Sequence, residues 1–406
     1  MSIKISDICD INSSNISSKD NYEFINYLDT SNLTEGVIDT LQKLVVGEDK
    51  IPSRAKRKVK KNDVLISTVR PNQKHYGILR KLKENLIVST GFVVLSAKED
   101  IVDAEYLYRY LTQDSITNYL QAIGETSTSA YPSIKPSDIG SLEIELPQLE
   151  EQKAIAKVLL DLDKKIEINN KINKKLEEMA QAIFKQWFVD FEFPNEDGKP
   201  YKSSGGEMVE SELGIIPEGW KIKELKEVIK FNKGKKPKII TDKEFDNSKL
   251  YLTIDVLNRN SIQYAINDKV VLANKKDILM VMDGASSGSL YYGLDGIVGS
   301  TLSKLVINDE YINDDILYYF LKLNEFNIKG HLTGSAIPHT DKEYVNRLIM
   351  CIPNDKELLV RVTKILSDIR EKVIINNEEN SRLIKLRDIL LLKLMSGEIR
   401  VPLGHE

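Results

Sequence analysis

Hydrophobic residues recur every seven positions along a segment that runs from Glu150 to about Phe188. Two interleaved series of this kind are typical of the a and d positions of a coiled coil. The pattern therefore predicts a long helix that buries one stripe of side chains against another helix. The first series contains Ile155, Leu162, Asn169, Leu176 and Ile183, and the second contains Leu159, Ile166, Asn173, Ala180 and Trp187.

A second copy of this segment lies 207 residues further along the chain, counted from Lys157 to Lys364. Residues 157–170 and 364–377 align without a gap and are identical at seven of 14 positions. Nine of the ten equivalent core positions keep the pattern, and the exception is Arg387. Two copies in one chain indicate that the two helices pair with each other.

Asparagine occupies two core positions near the middle of each predicted helix, at residues 169, 173, 376 and 380. Asparagine at such a position costs stability but fixes the register of the pair. An antiparallel pair would place Asn169 opposite Asn380 and Asn173 opposite Asn376, whereas a parallel pair would place Asn169 beside Asn376. Both arrangements satisfy the amides, but the central placement favours the antiparallel one. In the alternative interpretation, the asparagines face solvent or another subunit.

The duplication extends upstream of both helices, because four shorter blocks match in the same order. Short β-branched runs such as Val64–Val69 and Ile278–Met282 predict strands, while Ala104–Leu111 and Asp315–Leu321 predict helices with tyrosines in the core. We therefore expect an α+β fold in which two α/β domains are separated by two long antiparallel helices, with pseudo-two-fold symmetry. The matched blocks are 63–66 with 277–280, 89–90 with 300–301, 129–132 with 335–338, and 142–147 with 348–353.

The predicted domain boundaries follow from these elements. The Gly, Pro and Ser density of residues 191–218 marks a linker. Two similar domains held apart in opposite orientation suit a reader of two half-sites on one duplex. The divisions are a first globular domain at 1–148, a first long helix at 149–190, a linker at 191–218, a second globular domain at 219–353, a second long helix at 354–398 and a tail at 399–406.

Composition and motifs reduce the number of functional classes that the sequence allows. Lys and Arg number 57 against 61 Asp and Glu, so the net charge of −4 argues against a wholly basic surface but permits a local basic groove. The sequence has neither a long apolar run nor the apolar core of a signal peptide, so a cytoplasmic protein is expected. None of the 12 prolines is adjacent to another, so the Asn/Asp-Pro-Pro-aromatic motif of a fused amino-methyltransferase is absent. Neither a dinucleotide loop nor a P-loop occurs, and the four histidines lack metal-ligand spacing.

Three segments together resemble specificity subunits of type I restriction–modification systems. The run from Pro147 to Ile155 has the P-x-x-x-E-Q-x-x-I form that begins their spacer helix. Ala182–Phe191 followed by Gly214–Trp220 resembles the link into their second target-recognition domain, and Leu391–Val401 resembles their C-terminal ending. The second helix departs from the pattern at its start, where Asn354-Asp-Lys-Glu replaces the Glu-Gln-Lys run. That departure puts in doubt whether the second helix makes the partner contact that Glu151 and Gln152 would carry in the first helix.

The resemblance implies that each globular half is a target-recognition domain that reads one half of a bipartite site on double-stranded DNA. It also implies that the helices set the spacer and dock two methyltransferase subunits, which use S-adenosylmethionine to methylate adenine at N6. Two restriction subunits, which are motor–nucleases using ATP and Mg²⁺, can join such complexes. The chain itself would be non-catalytic and would hold no cofactor or metal. A scaffold or adaptor of a different class, with duplicated α/β heads that do not bind DNA, is the alternative.

Candidate DNA contacts fall in basic runs and in loops that the two halves share. Positive residues suit phosphates, and Arg, Asn and Gln side chains suit base edges; a solvated charge run and simple helix capping are the alternatives. In the first half the candidates are Arg54, Lys56, Arg57, Lys58, Arg70, Asn72, Gln73, Lys74, His75, Thr126, Ser127 and Tyr131. In the second half they are Lys233, Lys235, Lys236, Ser286, Ser287, Ser289, Ser335 and His339.

Overall fold

The computed structural model describes residues 2–127, 131–266 and 268–402. The chain forms two compact units, one made of Met1–Lys165 with Leu383–Glu406 and the other of Ile166–Arg382. Two long helices, Leu149–Phe188 and Lys356–Met395, each contribute residues to both units. None of the helices in the described residues is long and apolar enough to cross a membrane.

The first unit is built on two four-stranded sheets. Its strands are β1 (Ser2–Lys4), β2 (Cys9–Ile11), β3 (Phe24–Leu28), β4 (Leu33–Thr34), β5 (Val37–Ile38), β6 (Gln42–Val45), β7 (Ala55–Lys58), β8 (Val64–Ser67), β9 (Tyr76–Ile78), β10 (Leu86–Ser89), β11 (Phe92–Ala97) and β12 (Glu143–Glu145). One sheet has the order β6-β3-β10-β7 and the other β2-β11-β8-β9. Strands β8 and β10 are fully buried, as expected for β-branched runs covered on both faces.

Short helices complete the first unit. They are α1 (Ile5–Ile8), α2 (Ala104–Leu111), α3 (Asp114–Glu125) and α4 (Pro136–Gly140), and the long helix α5 (Leu149–Phe188) follows. The predicted helix 104–111 is therefore confirmed, and Tyr106 and Tyr108 lie in the hydrophobic core as expected. Short 3₁₀ helices cover Thr30–Asn32 and Pro71–Gln73.

The second unit repeats the two-sheet arrangement. Its strands are β13 (Met208–Ser211), β14 (Gly214–Pro217), β15 (Trp220–Glu224), β16 (Ile229–Lys233), β17 (Ile240–Thr241), β18 (Ser248–Leu252), β19 (Tyr264–Ile266), β20 (Leu272–Ala273), β21 (Ile278–Val281), β22 (Leu290–Tyr291), β23 (Gly296–Val298), β24 (Leu302–Ile307) and β25 (Ile349–Pro353). Its helices are α6 (Leu225–Val228), α7 (Ile254–Leu257), α8 (Asp314–Gly330), α9 (Lys342–Asn346) and α10 (Lys356–Met395). The sheet orders are β16-β24-β21-β22 and β17-β19-β18-β23-β20.

Matching hydrogen bonds support the duplication. Strands β3 and β10 pair in parallel in the first unit, as β18 and β23 do in the second. In one matched block, the structure corrects the sequence alignment of the two halves by one residue. Thr68 donates to the Gly91 carbonyl and Met282 donates to the Thr301 carbonyl, so Gly91, not Thr90, corresponds to Thr301. Ser129, which belongs to another matched block, lies outside the described residues.

The linker contains regular structure that its composition does not indicate. Strands β13 and β14 form an antiparallel hairpin between the two long helices in the sequence. Phe193 stacks on Trp220 with ring centroids 5.3 Å apart, and Phe191 meets the same indole edge-on. Aromatic packing therefore fixes this segment, although Gly, Pro and Ser residues are frequent in it.

Candidate nucleic-acid interface

Two loops of the first unit, far apart in sequence, form one surface. The backbone amide of Arg70 donates to the Pro132 carbonyl at 2.8 Å, and Val69 forms a β-bridge with Ser133. The Arg70 guanidinium lies over the Tyr131 ring, 4.1 Å from its centroid, which is cation–π geometry. The loop after β8 and the loop after α3, identified separately from sequence, thus come together.

The loop that starts at Arg70 is held in one conformation by its backbone. Arg70 and Lys74 have left-handed φ angles of 48° and 55° on either side of the 3₁₀ helix. The amide of Asn72 donates to the Gln121 side chain at 3.2 Å, which ties the loop to α3. Asn72 and Gln73 are exposed, so their side-chain amides are available to a partner molecule.

Several other first-unit candidates are engaged within the fold. Lys74 forms ion pairs with Asp114 at 2.9 Å and Glu35 at 3.3 Å, and the first of these raises the pKa of Lys74. His75 Nδ1 lies 2.8 Å from the Leu33 carbonyl oxygen. The Thr126 hydroxyl donates to the Ile123 carbonyl near the end of α3. The Ser133 hydroxyl donates to the Ser127 hydroxyl at 3.5 Å.

The basic residues of the run 54–61 have different surroundings in the structure. Its central part is strand β7, an edge strand of the first sheet. Arg57 donates to the Phe92 carbonyl at 3.0 Å. Lys58 binds Asp20 at 2.5 Å, and this hydrogen bond lowers the pKa of Asp20 to about 2. Arg54 and Lys56 are exposed.

The second unit uses the same backbone frame for its loops. Gly284 donates to the Pro338 carbonyl at 2.9 Å, as Arg70 does to that of Pro132. Asp283 and His339 form the β-bridge that Val69 and Ser133 form in the first unit. The structure therefore places the loop after β21 beside the loop that ends at His339.

The side chains on this shared frame differ between the units. Asp283 contacts both Lys233, at 2.9 Å, and His339, at 2.8 Å. Partial burial raises the pKa of Asp283, but hydrogen bonds from Lys233 and His339 outweigh it and the net pKa is lowered. The sequence indicates Lys233 and His339 as candidates but not Asp283. The first-unit counterpart of Asp283 is the apolar Val69, so the duplication gave no indication of a carboxylate at this position.

The serine candidates divide by burial. Ser287 is buried and donates to the carbonyls of Gly284, at 2.8 Å, and Pro338, at 3.0 Å, so it supports the loop. Ser286 and Ser289 are half-buried, and Ser335 is exposed at the tip of its loop. Lys235 and Lys236 are exposed just beyond β16.

The four core asparagines hydrogen-bond between the long helices. Asn169 donates to Asn380 at 2.9 Å, and Asn376 donates to Asn173 at 2.7 Å. Asn173 also donates to Asn377 at 3.0 Å. The contacts run in opposite directions along the two helices, which is the antiparallel arrangement, and all four predicted residues are buried within the second unit.

The exception in the heptad pattern is paired in the first unit. Arg387 binds Asp163 at 3.0 Å, and Asp163 also accepts from Arg109 of helix α2. The Glu151-Gln152 pair near the start of the first long helix likewise has partners inside the chain. Gln152 is buried and accepts from the Asp103 amide at 2.9 Å, while Glu151 pairs with Arg400 at 2.9 Å.

The described residues contain no group of three or more His, Cys, Asp or Glu side chains that could hold a metal ion. The described loops instead present amides, hydroxyls, a guanidinium and ammonium groups, which are the groups that proteins use on DNA phosphates and base edges.

The fold, compared with known proteins, belongs to a class of DNA specificity proteins. Residues 1–178 and 217–385 match the family model for the type I restriction modification DNA specificity domain. The chain therefore belongs to the family of type I restriction–modification specificity subunits and carries the domain twice.

Individual relatives agree with this assignment. The chain is 26% identical over 412 residues to the type I restriction enzyme HindI specificity subunit of Haemophilus influenzae, covering 86% of this chain and 89% of the relative. It is 28% identical over 340 residues to the MjaIX specificity subunit of Methanocaldococcus jannaschii, covering 80% and 76%. The crystal structure of a type I S subunit from M. genitalium has the same fold, with a TM-score of 0.61 at 18% identity over 97% of this chain and 95% of that one.

Proposed function

We propose that each globular domain reads one half of a bipartite site on double-stranded DNA. The observation that carries this proposal is the pair of equivalent loop frames, at Arg70–Pro132 and Gly284–Pro338, which present different side chains. Identical frames with different polar groups suit two half-sites of different sequence, because base edges are distinguished by their donor and acceptor patterns.

The proposal extends to assembly. The long helices would set the gap between half-sites and dock two methyltransferase subunits, with two restriction subunits as a further layer. The methyltransferase subunits would bring S-adenosylmethionine, and the restriction subunits ATP and Mg²⁺. This chain would contribute recognition rather than catalysis. Each helix has 40 residues, a length of about 60 Å at 1.5 Å per residue.

Genome-wide mapping of methyladenine tests this function directly. The chain would be expressed with its cognate methyltransferase subunit, and each alone would serve as a control. We expect a bipartite motif with a fixed gap that disappears when this chain is omitted. Co-purification of the two proteins without any new motif would contradict DNA reading and favour a scaffold.

Two further measurements separate the parts of the proposal. DNA reading predicts duplex binding whose log affinity falls steeply with log salt concentration, because phosphate contacts release counterions; a scaffold has no such dependence. Removal of one heptad from each long helix should shorten the gap and leave both half-site sequences unchanged. A gap of unchanged length would exclude the helices as the ruler.

A further inference from the structure

A carboxylate lies at the centre of the proposed DNA-reading surface of the second domain. Asp283 directly follows strand β21, and its β-bridge partner is His339, a loop residue of the same surface. A negative charge facing a phosphate backbone is unfavourable. The unfavourable charge of Asp283 on this surface is therefore explained if its carboxylate positions neighbouring side chains that contact DNA.

Both oxygens of this carboxylate hold a group that can face DNA. Oδ2 lies 2.9 Å from Nζ of Lys233, and Oδ1 lies 2.8 Å from Nδ1 of His339. Because an ionised carboxylate only accepts hydrogen bonds, Nδ1 carries the hydrogen and the second ring nitrogen, Nε2, points away from Asp283. The side chains of Lys233 and His339 remain 50% and 47% exposed, so both can reach a ligand.

The backbone around His339 restricts where its ring can lie. Thr333 and His339 exchange two backbone hydrogen bonds, of 2.9 and 2.8 Å. Gly334 between them has a φ of +86°, and a Cβ there would lie 2.4 Å from the Ile337 carbonyl oxygen and 2.9 Å from the His339 ring. Only glycine fits this turn, so the loop fixes the base of the imidazole while Asp283 fixes its orientation.

We propose that Asp283 is a positioning residue that holds Lys233 and His339 as a pair and directs Nε2 of His339 at a base edge in the second half-site. With the hydrogen on Nδ1, a neutral imidazole offers Nε2 as an acceptor, which suits the exocyclic amino group of adenine or cytosine. Lys233 then contacts the adjacent phosphate. This inference rests on the proposed reading of one half-site by each domain.

Two substitutions of His339 distinguish a contact between Nε2 and a base edge from a role that is limited to the contact between Nδ1 and Asp283. In His339→Asn the amide replaces Nδ1, so the contact with Asp283 survives but nothing stands at the position of Nε2. In His339→Gln the longer amide reaches the position of Nε2. Asp283→Asn removes the charge and one accepting oxygen. The matched control is Asp309→Asn, because Asp309 also binds a lysine, Lys223, elsewhere in the same unit.

The readout is the methylated motif in cells that express each full-length variant with the cognate methyltransferase subunit. We expect Asp283→Asn and His339→Asn to lose about tenfold or more discrimination at the same positions of one half-site. His339→Gln should retain part of it, and Asp309→Asn should leave the motif unchanged. Melting temperatures of the purified complexes identify any variant that fails through unfolding.

The outcomes distinguish this inference from the proposed function. If the wild-type chain directs no motif, the proposed function itself fails. If it directs a bipartite motif that Asp283→Asn and His339→Asn leave intact, only the present inference is overturned. Full discrimination in His339→Asn, with loss in His339→Gln, would likewise overturn it, because the imidazole would then serve only its contact with Asp283.

Discussion

Replacement of one asparagine in the helix pair should destabilise the second unit, while replacement of its partner as well should restore most of the loss. Asn376 is 2% exposed and donates to Asn173, which is 9% exposed. In Asn173→Leu the buried amide of Asn376 loses its acceptor. An unsatisfied buried polar group costs about 1–3 kcal/mol, so we expect a loss of about 2 kcal/mol. Asn376→Leu should cost a similar amount.

The double variant removes both polar groups and brings two leucines together, which can be neutral or stabilising. Asn377, which also accepts from Asn173, is only half-buried and can turn to water. A coupling of about 2 kcal/mol or more should therefore appear in a double-mutant cycle. In a unit of this size each kcal/mol corresponds to about 2–4 °C in the melting temperature, so calorimetry resolves the single losses. Strictly additive losses in the double variant would refute the paired arrangement.

Three further outcomes are expected. Leucine at all four core asparagines should leave the helices stable but loosen their register, and methylation mapping should show gaps that differ by about three base pairs, the length of one heptad. Burial outweighs the hydrogen bond from Tyr292 and raises the pKa of Glu177. The folded state therefore loses stability as pH rises and this buried carboxyl ionises. Glu177→Gln, which stays neutral, should raise the melting temperature more at pH 8 than at pH 4. Asp20→Asn should lower stability at pH 7, and its difference from the wild type should vanish as pH falls from about 4 towards 2, because the Lys58 hydrogen bond lowers the pKa of Asp20 to about 2.

The sequence predicts those parts of the fold that local periodicity controls. Heptad spacing predicts a helix from Glu150 to about Phe188, where the helix Leu149–Phe188 lies, and buried strands lie where β-branched runs indicate them. Heptad spacing determines which face of a helix is apolar, and it needs no knowledge of distant residues. The same reasoning treats Arg387 as an exception, because its partner Asp163 belongs to the other helix.

Contacts between residues distant in sequence account for most of what the sequence does not predict. A run of lysines and arginines has the same composition whether its members bind phosphate or, like Arg57, a backbone carbonyl of a strand in the other sheet. The carboxylate of Asp283 lies 50 residues from Lys233 and 56 from His339, and only the completed sheet brings them together. The linker hairpin is similar, because aromatic side chains on both sides of it stabilise a segment whose composition indicates a loop.

The duplicated halves share a fold but have opposite charges where each long helix meets its globular domain. Asp163 and Arg370 occupy equivalent positions, separated by the 207 residues that relate the two helices. Asp163 binds Arg109 in the first unit, whereas Arg370, only 2% exposed, binds Asp315 at 2.7 Å in the second. Loss of one partner of a buried ion pair costs about 3–5 kcal/mol. A second-unit domain placed on the first helix would bring Asp315 towards Asp163 rather than towards an arginine, so each domain is matched electrostatically to its own helix, and an exchange of domains must carry the helix residue with it.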